Sequence, residues 1–396
     1  MSAPPGSRRR ALLLRTLTAV VLAAALATPA TAEWRQFHSG PSRLGVSAER
    51  VLSRDNVRHL RVLWSRAAGK SAEGVNASAA VAGSRVFVGS DDGRLYAFGL
   101  GGRRLWSKWV GGAIRSSPAV ADGVVYVGSN DGRVQARSVA NGALLWSRNL
   151  GGVVSSSPLV VEGRVYIGSR DGGFYALKAG TGHTVWKRAL WSVWDGAAYR
   201  AGTIYVGSDQ SRVWAFDADT GVKRWTTAVW GRVRSTPAVT DDRVFVGTDN
   251  GRVYALARRT GHKIWMSAAV APGKGFVRCA PAVAAGLVVV SVGLTTTPMD
   301  GMLRAFHVRT GSSAWTGQMA DYSTSSAAYT NGLFFVGSFD HRLYAFGARR
   351  GAEVWNSGWA FQDGFFERGI SASPAISGGR IYIGVRDGRL YALGLP

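Results

Sequence analysis

Three arginines share one position in a repeated segment, and their side chains could bind an anion. Arg115, Arg234 and Arg278 each lie three residues before a proline, in the segments Arg-Ser-Ser-Pro, Arg-Ser-Thr-Pro and Arg-Cys-Ala-Pro. A guanidinium presents a planar fork of donors that suits carboxylates and phosphates. The pattern predicts either an anion site or arginines that extend into solvent. In the other copies of the segment the position is held by Asn76, Ser155, Trp194, Thr324 and Ser371.

Carboxylates that could act as a catalytic base or as metal ligands are few outside the turns. They are Asp195, Asp321, Asp363 and Glu367. The six histidines are scattered, and the chain contains neither a His-Glu-x-x-His motif nor a complete phosphate-binding loop. Cys279 is the only cysteine, which excludes an internal disulfide. Spacing alone therefore identifies no catalytic or metal site.

Aromatic residues outside the repeat positions collect in the segments between repeats. Such enrichment in aromatic residues and arginine is typical of recognition surfaces, although contacts between loops would produce it equally well. The longest of these segments spans residues 357–370. We predict that an interaction surface contains Trp191, Trp194, Trp230, Trp359, Phe361, Phe365, Phe366 and Arg368.

A strand motif that ends in Gly-Ser recurs along the chain and must position these residues. Val86-Phe87-Val88-Gly89-Ser90 is followed by copies whose glycines stand at 128, 168, 207, 247, 293, 337 and 384. Runs of β-branched and aromatic residues, separated by Asp-Gly or Asn-Gly pairs, predict short strands joined by tight hairpins. A period of about 40 residues with four strands predicts a β-propeller blade. The sequence contains eight such units.

Eight repeated tryptophans predict how the ring closes. Trp64 precedes the first glycine motif, and no tryptophan follows the last one. The strand ending at Trp64 is therefore predicted to complete the last blade. The expected fold is an all-β, eight-bladed β-propeller of four-stranded antiparallel blades over residues 61–396, with residues 33–60 as an N-terminal segment that packs on it. The eight tryptophans are Trp64, Trp106, Trp146, Trp186, Trp225, Trp265, Trp315 and Trp355.

The segment from Ala215 to Trp225 resembles the tryptophan docking motif of the pyrroloquinoline-quinone (PQQ) repeat family, A-x-D-x-x-T-G-x-x-x-W. Looser copies occur in most other repeats, and Trp34-Arg35-Gln36-Phe37 is similar to the start of many PQQ-like propellers. The resemblance covers nearly all of the chain after residue 32. The family includes quinoprotein dehydrogenases and non-catalytic scaffolds such as the outer-membrane assembly lipoprotein BamB, so fold alone does not decide the function.

For a dehydrogenase, the resemblance implies that Arg115, Arg234 and Arg278 would meet the carboxylates of PQQ, and that Ca²⁺ would polarise the quinone. Such dehydrogenases usually also have adjacent cysteines that form a disulfide over the cofactor. Cys279 has no partner for such a bond. None of the non-turn acids matches the family's catalytic base or calcium ligands.

The N-terminus is typical of an exported protein. Arg8, Arg9 and Arg10 precede an apolar run, and Ala30-Thr31-Ala32 offers a cleavage site, so residues 1–32 are predicted to be a signal peptide. No cysteine lies near this site, which argues against a lipoprotein. The protein is expected in the periplasm or outside the cell.

The chain is strongly basic, with 48 Lys and Arg against 24 Asp and Glu. Many arginines stand at the same turn position in successive repeats, so the charge favours a general attraction to anions rather than one site. Nucleic acid is not expected as a partner of an exported protein. We predict a monomeric, non-catalytic scaffold that binds a protein partner or ligand in the cell envelope. Two alternatives stay open: a PQQ-dependent dehydrogenase that uses PQQ and Ca²⁺ to oxidise alcohols or sugars, and a protein that binds an anionic envelope polymer.

Overall fold

Runs of β-branched and aromatic residues form short strands along the chain. The computed structural model describes residues 33–69, 74–270, 275–294, 301–358 and 369–396. Its strands form eight antiparallel sheets, one for each repeat. The predicted all-β, eight-bladed propeller is therefore confirmed.

The first four blades each contain four strands in chain order. Blade 1 is formed by β2 (Ala80–Ala82), β3 (Arg85–Gly89), β4 (Arg94–Gly99) and β5 (Arg104–Trp109). Blade 2 is formed by β6 (Ala119–Ala121), β7 (Val124–Gly128), β8 (Arg133–Ser138) and β9 (Leu144–Asn149). Blade 3 is formed by β10 (Leu159–Val161), β11 (Arg164–Gly168), β12 (Gly173–Lys178) and β13 (Thr184–Ala189). Blade 4 is formed by β14 (Ala198–Arg200), β15 (Thr203–Ser208), β16 (Arg212–Asp217) and β17 (Lys223–Ala228).

The last four blades include one with an extra strand and one completed by the N-terminal strand. Blade 5 is formed by β18 (Ala238–Val239), β19 (Arg243–Gly247), β20 (Val253–Ala257) and β21 (Lys263–Met266). Blade 6 is formed by β22 (Gly275–Phe276), β23 (Ala282–Ala284), β24 (Leu287–Leu294), β25 (Gly301–His307) and β26 (Ser313–Met319). Blade 7 is formed by β27 (Ala328–Thr330), β28 (Leu333–Gly337), β29 (Leu343–Gly347) and β30 (Glu353–Asn356). Blade 8 is formed by β31 (Ala375–Ser377), β32 (Arg380–Gly384), β33 (Arg389–Gly394) and β1 (Arg61–Ala67).

Pairing between β1 and β33 closes the ring. The two strands are antiparallel, with Trp64 opposite Ala392. The N-terminal strand thus supplies the fourth strand of blade 8, as predicted. Within the described residues the helical turns are short 3₁₀ segments, Phe37–Ser39 and Val57–His59, and no helix there has the length and apolar character to cross a bilayer.

The repeated tryptophans fasten each blade to the next. In seven blades the indole Nε1 donates to a backbone carbonyl of the following blade, over 2.7–3.1 Å. The indole face also covers the glycine of the next Thr-Gly turn, as Trp186 covers Gly221. Gly221 has φ of +66°, and a Cβ there would lie 2.6 Å from the indole, so this position requires glycine. These tryptophans stabilise the ring.

The motif glycine allows adjacent blades to approach closely. Outside blade 6, a Cβ on it would lie 2.2–2.5 Å from a Val or Ile side chain of the next blade. Blade 6 differs, because its register places Ser291 at the motif position: Val289 pairs with Ala305 there. The expectation that Gly293 holds this position was wrong. Ser323 stands where the other blades have the facing Val or Ile, so a smaller residue there compensates for the larger one.

Residues 34–45 run inside the ring, along the strands that line the channel. One residue of the channel-lining strand in each of blades 1 to 7 donates its backbone NH to this segment. The donors are Val81, Val120, Val160, Tyr199, Val239, Val283 and Tyr329. Their acceptors, in the same order, are Trp34, Arg35, the side chain of Gln36, Pro41, Ser42, Leu44 and Gly45. The segment therefore satisfies inner-strand donors that would otherwise face the channel.

Arg43 and His38 of this segment span the channel. The guanidinium of Arg43 is fully buried and donates to the carbonyls of Pro158 and Ala197, over 2.8 and 3.1 Å. Nδ1 of His38 lies 2.7 Å from the carbonyl oxygen of Arg43, and Nε2 lies 2.9 Å from that of Ala327. Pro158 and Ala197 belong to blades 3 and 4, whereas Ala327 belongs to blade 7 on the opposite side of the ring. These contacts cross the axis.

Candidate binding site at the channel mouth

The three arginines that share a sequence position lie at one end of the channel. First strands begin at this end and second strands finish there, so antiparallel pairing brings two sets of residues together. One set is the arginine position, and the other is the residue two places after the motif glycine. We call this end the channel mouth, and define it by Arg115, Arg234, Arg278 and their neighbours.

Each of the three arginines pairs with an aspartate from the preceding blade. Nε of Arg115 lies 3.3 Å from Oδ1 of Asp91, and this arginine side chain is 56% exposed. Arg278 contacts the carboxylate of Asp249 over 2.8 and 3.3 Å. The side chains therefore do not simply extend into solvent. Binding of an external anion by these arginines stays a prediction.

Arg234 makes the most buried of these pairs. Its guanidinium donates to both carboxylate oxygens of Asp209, over 2.8 and 3.0 Å, and lies 3.4 Å from Asp249. Its side chain is 14% exposed. Burial alone would raise the pKa of Asp209, but hydrogen bonds from Arg234 and Trp194 hold it below its usual range.

Sequence reasoning missed these aspartates, although the repeats contained a signal. An aspartate stands two residues after the motif glycine in blades 1, 4 and 5, at Asp91, Asp209 and Asp249. The arginines stand in blades 2, 5 and 6, which are the blades that follow. Comparing successive repeats at both positions would have predicted the pairs.

Trp194, predicted to belong to an interaction surface, is half-buried among these charges. Its Nε1 donates to Oδ2 of Asp209 over 2.8 Å. The guanidinium carbon of Arg170 lies 3.5 Å from the centroid of its ring, and that of Arg234 lies 4.4 Å from it. The indole is therefore a fixed surface on which two guanidinium groups pack. Sequence reasoning also missed Arg170, which stands two residues after the motif glycine of blade 3.

Trp191 and Trp230 are exposed in loops at the same end of the ring as the channel mouth. They follow the fourth strands of blades 3 and 4, and their exposed fractions are 74% and 67%. Trp191 has φ of +66°, in the left-handed region where the equivalent loop positions hold Gly111 and Gly151. Tyr254 accepts a hydrogen bond from the backbone NH of Trp230 over 2.9 Å, which fixes the second loop.

The remaining predicted surface residues lie outside the described residues. They are Trp359, Phe361, Phe365, Phe366 and Arg368, and two of the candidate acids, Asp363 and Glu367, fall in the same segment.

Asp195 serves the backbone of the inner strands. In most blades a serine or threonine two residues before the first strand accepts a hydrogen bond from the backbone of the preceding blade, as Ser157 does from Ser117. Blade 6 has Ala280 at this position, which cannot accept. The NH of Thr236 donates instead to the carboxylate of Asp195, over 3.2 Å. Burial raises the pKa of Asp195, against these hydrogen bonds.

The described carboxylates do not fit a calcium site. No group of three His, Cys, Asp or Glu side chains comes together as metal ligands in the described residues. Ca²⁺ takes six to eight oxygen ligands. At the mouth, Asp91, Asp209 and Asp249 are each paired with a guanidinium, which competes with a cation for the same oxygens. The described part of the chain therefore lacks the donor set that the resemblance associates with PQQ.

Comparison with protein families decides the family of the chain. A family model described as outer membrane protein assembly factor BamB matches residues 49–193 and 175–330. The chain belongs to this family of PQQ-like propellers. Comparison with curated proteins gives no match.

Solved structures with the same fold have different functions. BamB from Moraxella catarrhalis is 19% identical, with a TM-score of 0.70 over 85% of this chain and 97% of that one. Quinohemoprotein alcohol dehydrogenase from Comamonas testosteroni is 18% identical, with a TM-score of 0.78 over 92% of this chain and 80% of that one. The computationally designed Ika8 protein is 16% identical, with a TM-score of 0.69 over 83% of this chain and 98% of that one. Such low identities show the fold alone, so function must be argued from the mouth.

Proposed function

We propose that this chain is an exported, non-catalytic propeller that binds a protein partner through the loops of its channel mouth. The observation that carries the proposal is the exposure of Trp191 and Trp230, at 74% and 67%. The matching family is named for an assembly factor. We extend to this chain the role of an interaction scaffold in the cell envelope.

The fold does not require a tryptophan at position 191. The equivalent positions in blades 1 and 2 are Gly111 and Gly151, also with positive φ. A bulky residue in the left-handed region costs on the order of 1 kcal/mol or more, and such strain concentrates at functional sites. The ring of Trp191 is largely exposed, so its burial does not offset this cost. Binding of a partner accounts for both its exposure and its backbone conformation.

Residue types around the exposed indoles also favour a protein interface. Trp and Arg are enriched at the residues that dominate binding energy. Trp191 shares a loop with Trp194, and Trp230 shares a loop with Arg234. The loops are held by hydrogen bonds and packing, so little conformational entropy is lost when a partner binds.

Site-specific cross-linking in the native host tests the proposal. A photoreactive phenylalanine derivative replaces Trp191 or Trp230, and the matched control places it at Leu144, a 51% exposed residue on the outer strand of blade 2. We expect both mouth positions to capture the same protein and the control position not to capture it. Absence of an adduct at the mouth, or the same adduct from position 144, would overturn the proposal.

A further inference from the structure

Arg170 is a guanidinium at the channel mouth that no aspartate or glutamate of the described residues pairs with in an ion pair. Arg115, Arg234 and Arg278 each contact an aspartate of the preceding blade. Arg170 instead packs on the ring of Trp194, with its guanidinium carbon 3.5 Å from the centroid. It is exposed, so a ligand can reach it.

The charges that act on Arg170 are more positive than negative. Four guanidinium groups, from Arg115, Arg170, Arg234 and Arg278, face three carboxylates in this cluster. Burial lowers the pKa of Arg170, and the charges of Arg115 and Arg234 lower it further, whereas Asp209 raises it. Holding several positive charges close together is energetically unfavourable without a counter-ion. An anionic ligand would complete the cluster.

Trp194 holds Arg170 in an orientation suited to a carboxylate. The indole is fixed because its Nε1 donates to Asp209, which is itself bound by Arg234. A guanidinium that stacks on a ring has its N–H donors in its own plane, directed outward past the ring edge. Two parallel donors of this kind match the two oxygens of a carboxylate. The arrangement is therefore ordered before any ligand binds.

Neighbouring groups favour an acidic polypeptide over a small anion. Trp191 and Trp230 are exposed and stand in the loops that also carry Trp194 and Arg234, so exposed indoles lie at the same end of the ring as the charged cluster. Arg43 is buried in the channel, where its guanidinium donates to the carbonyls of Pro158 and Ala197. A polypeptide lying across the loops can place acidic side chains on the guanidinium groups and apolar ones on the indoles.

We propose that Arg170, stacked on Trp194, binds a carboxylate in an acidic segment of the partner protein. This inference rests on the proposed function, because it assigns the chemistry of the partner at the same surface. It adds a prediction about stability. Replacing Arg170 by glutamine removes like-charge repulsion, so the unfolding midpoint should stay the same or rise.

An octaglutamate peptide titrated into the purified full chain tests the carboxylate contact, with tryptophan fluorescence as the readout. We expect saturable binding that weakens as salt is raised. Arg170→Gln should weaken it by about tenfold or more, because it removes a charge-assisted pair. Arg170→Lys keeps the charge without the planar fork, so its affinity for octaglutamate should lie between those of the wild type and Arg170→Gln. The matched control Arg259→Gln lies in an exposed Thr-Gly turn at the opposite end of its blade, and should stay within about twofold of the wild type.

Several results would overturn the inference. They are equal affinity of wild type and Arg170→Gln for octaglutamate, equal binding of octaglutamine, and tighter binding of polyphosphate or free phosphate. The last of these would point to a phosphate polymer or a small anion.

A second experiment separates this inference from the proposed function. The cross-linker at position 191 is combined with Arg170→Gln in the native host. Loss of the protein adduct supports the carboxylate contact. An unchanged adduct overturns the inference and leaves the proposed scaffold role intact.

Discussion

The charged residues at the mouth were only partly predictable from their positions in the repeat. Arg115, Arg234 and Arg278 could be aligned by their distance from proline, because the first strand of each blade begins at a fixed register. Their aspartate partners and Arg170 belong to a second position, which is brought alongside only by strand pairing. Trp194 is half-buried, because Arg170 and Arg234 pack on its ring, and its place in an interaction surface stays a prediction. Burial of a single side chain depends on neighbours that its own repeat does not contain.

His38 couples the stability of the protein to pH. Burial lowers its pKa to about 4, and outweighs the two carbonyl oxygens that favour the protonated ring. The unfolded chain takes up a proton near pH 6.5, so stability should fall as the pH falls from about 6.5 towards 4, by up to about 3 kcal/mol. Denaturant unfolding across this range measures the slope.

Substitution separates this contribution from those of the carboxylates that titrate in the same range. His38→Gln should flatten the slope, because glutamine does not titrate. His183→Gln, at an exposed turn residue, is the matched control for replacing a histidine. Identical slopes for wild type and His38→Gln would show that His38 does not cause the dependence.

Strands and turns were the most predictable elements. Asp-Gly pairs, motif glycines and tryptophan spacing each specify a local geometry that recurs, so eight blades and their closure followed from the sequence. The N-terminal segment was harder, because its hydrogen bonds join residues 34–45 to strands spread from blade 1 to blade 7. No local pattern encodes contacts of that range. Blade 6 was misaligned because Gly293 looks like the motif glycine, whereas strand pairing selects Ser291.

Ser291 of blade 6 and Ser323 of blade 7 occupy facing positions of the repeat, which predicts that a substitution at one can be compensated at the other. Ser323→Val places in blade 7 the side chain that other blades have, but Ser291 lacks the space that glycine provides. Overpacking should destabilise the protein by about 1–3 kcal/mol. Adding Ser291→Gly should recover much of this loss, giving a coupling of about 1 kcal/mol or more in a double-mutant cycle. Purely additive effects would contradict the proposed register.

Arg43 should contribute strongly to stability through the N-terminal segment. Arg43→Ala leaves buried carbonyls of blades 3 and 4 without donors. We expect a loss of about 3–5 kcal/mol in the free energy of unfolding. Arg35→Ala, at a 57% exposed side chain of the same segment, should cost less than about 0.5 kcal/mol. Comparable losses in the free energy of unfolding for the two variants would mean that the hydrogen bonds of Arg43 do not stabilise the inner strands.

At the scale of the whole molecule, repeated features stabilise the ring and departures from the repeat mark the proposed binding surface. Docking tryptophans and motif glycines recur around the ring and have structural contacts. Trp191, Trp194 and Trp230 stand in the loops between blades 3 and 5, at positions where most other blades have different residues. The net charge of +24 attracts anions in general. Under the proposal, these differences between blades, rather than the net charge, give the surface its specificity.

Affinity for the cross-linked partner tests the central claim most directly. The dissociation constant is measured for the purified partner with wild-type protein and with the Trp191→Gly, Trp230→Gly double variant. Because two exposed indoles act as anchors, the account predicts a loss of about 100-fold or more with an unchanged unfolding midpoint. Affinity within about twofold of the wild type would contradict the proposal that the channel mouth is the binding surface.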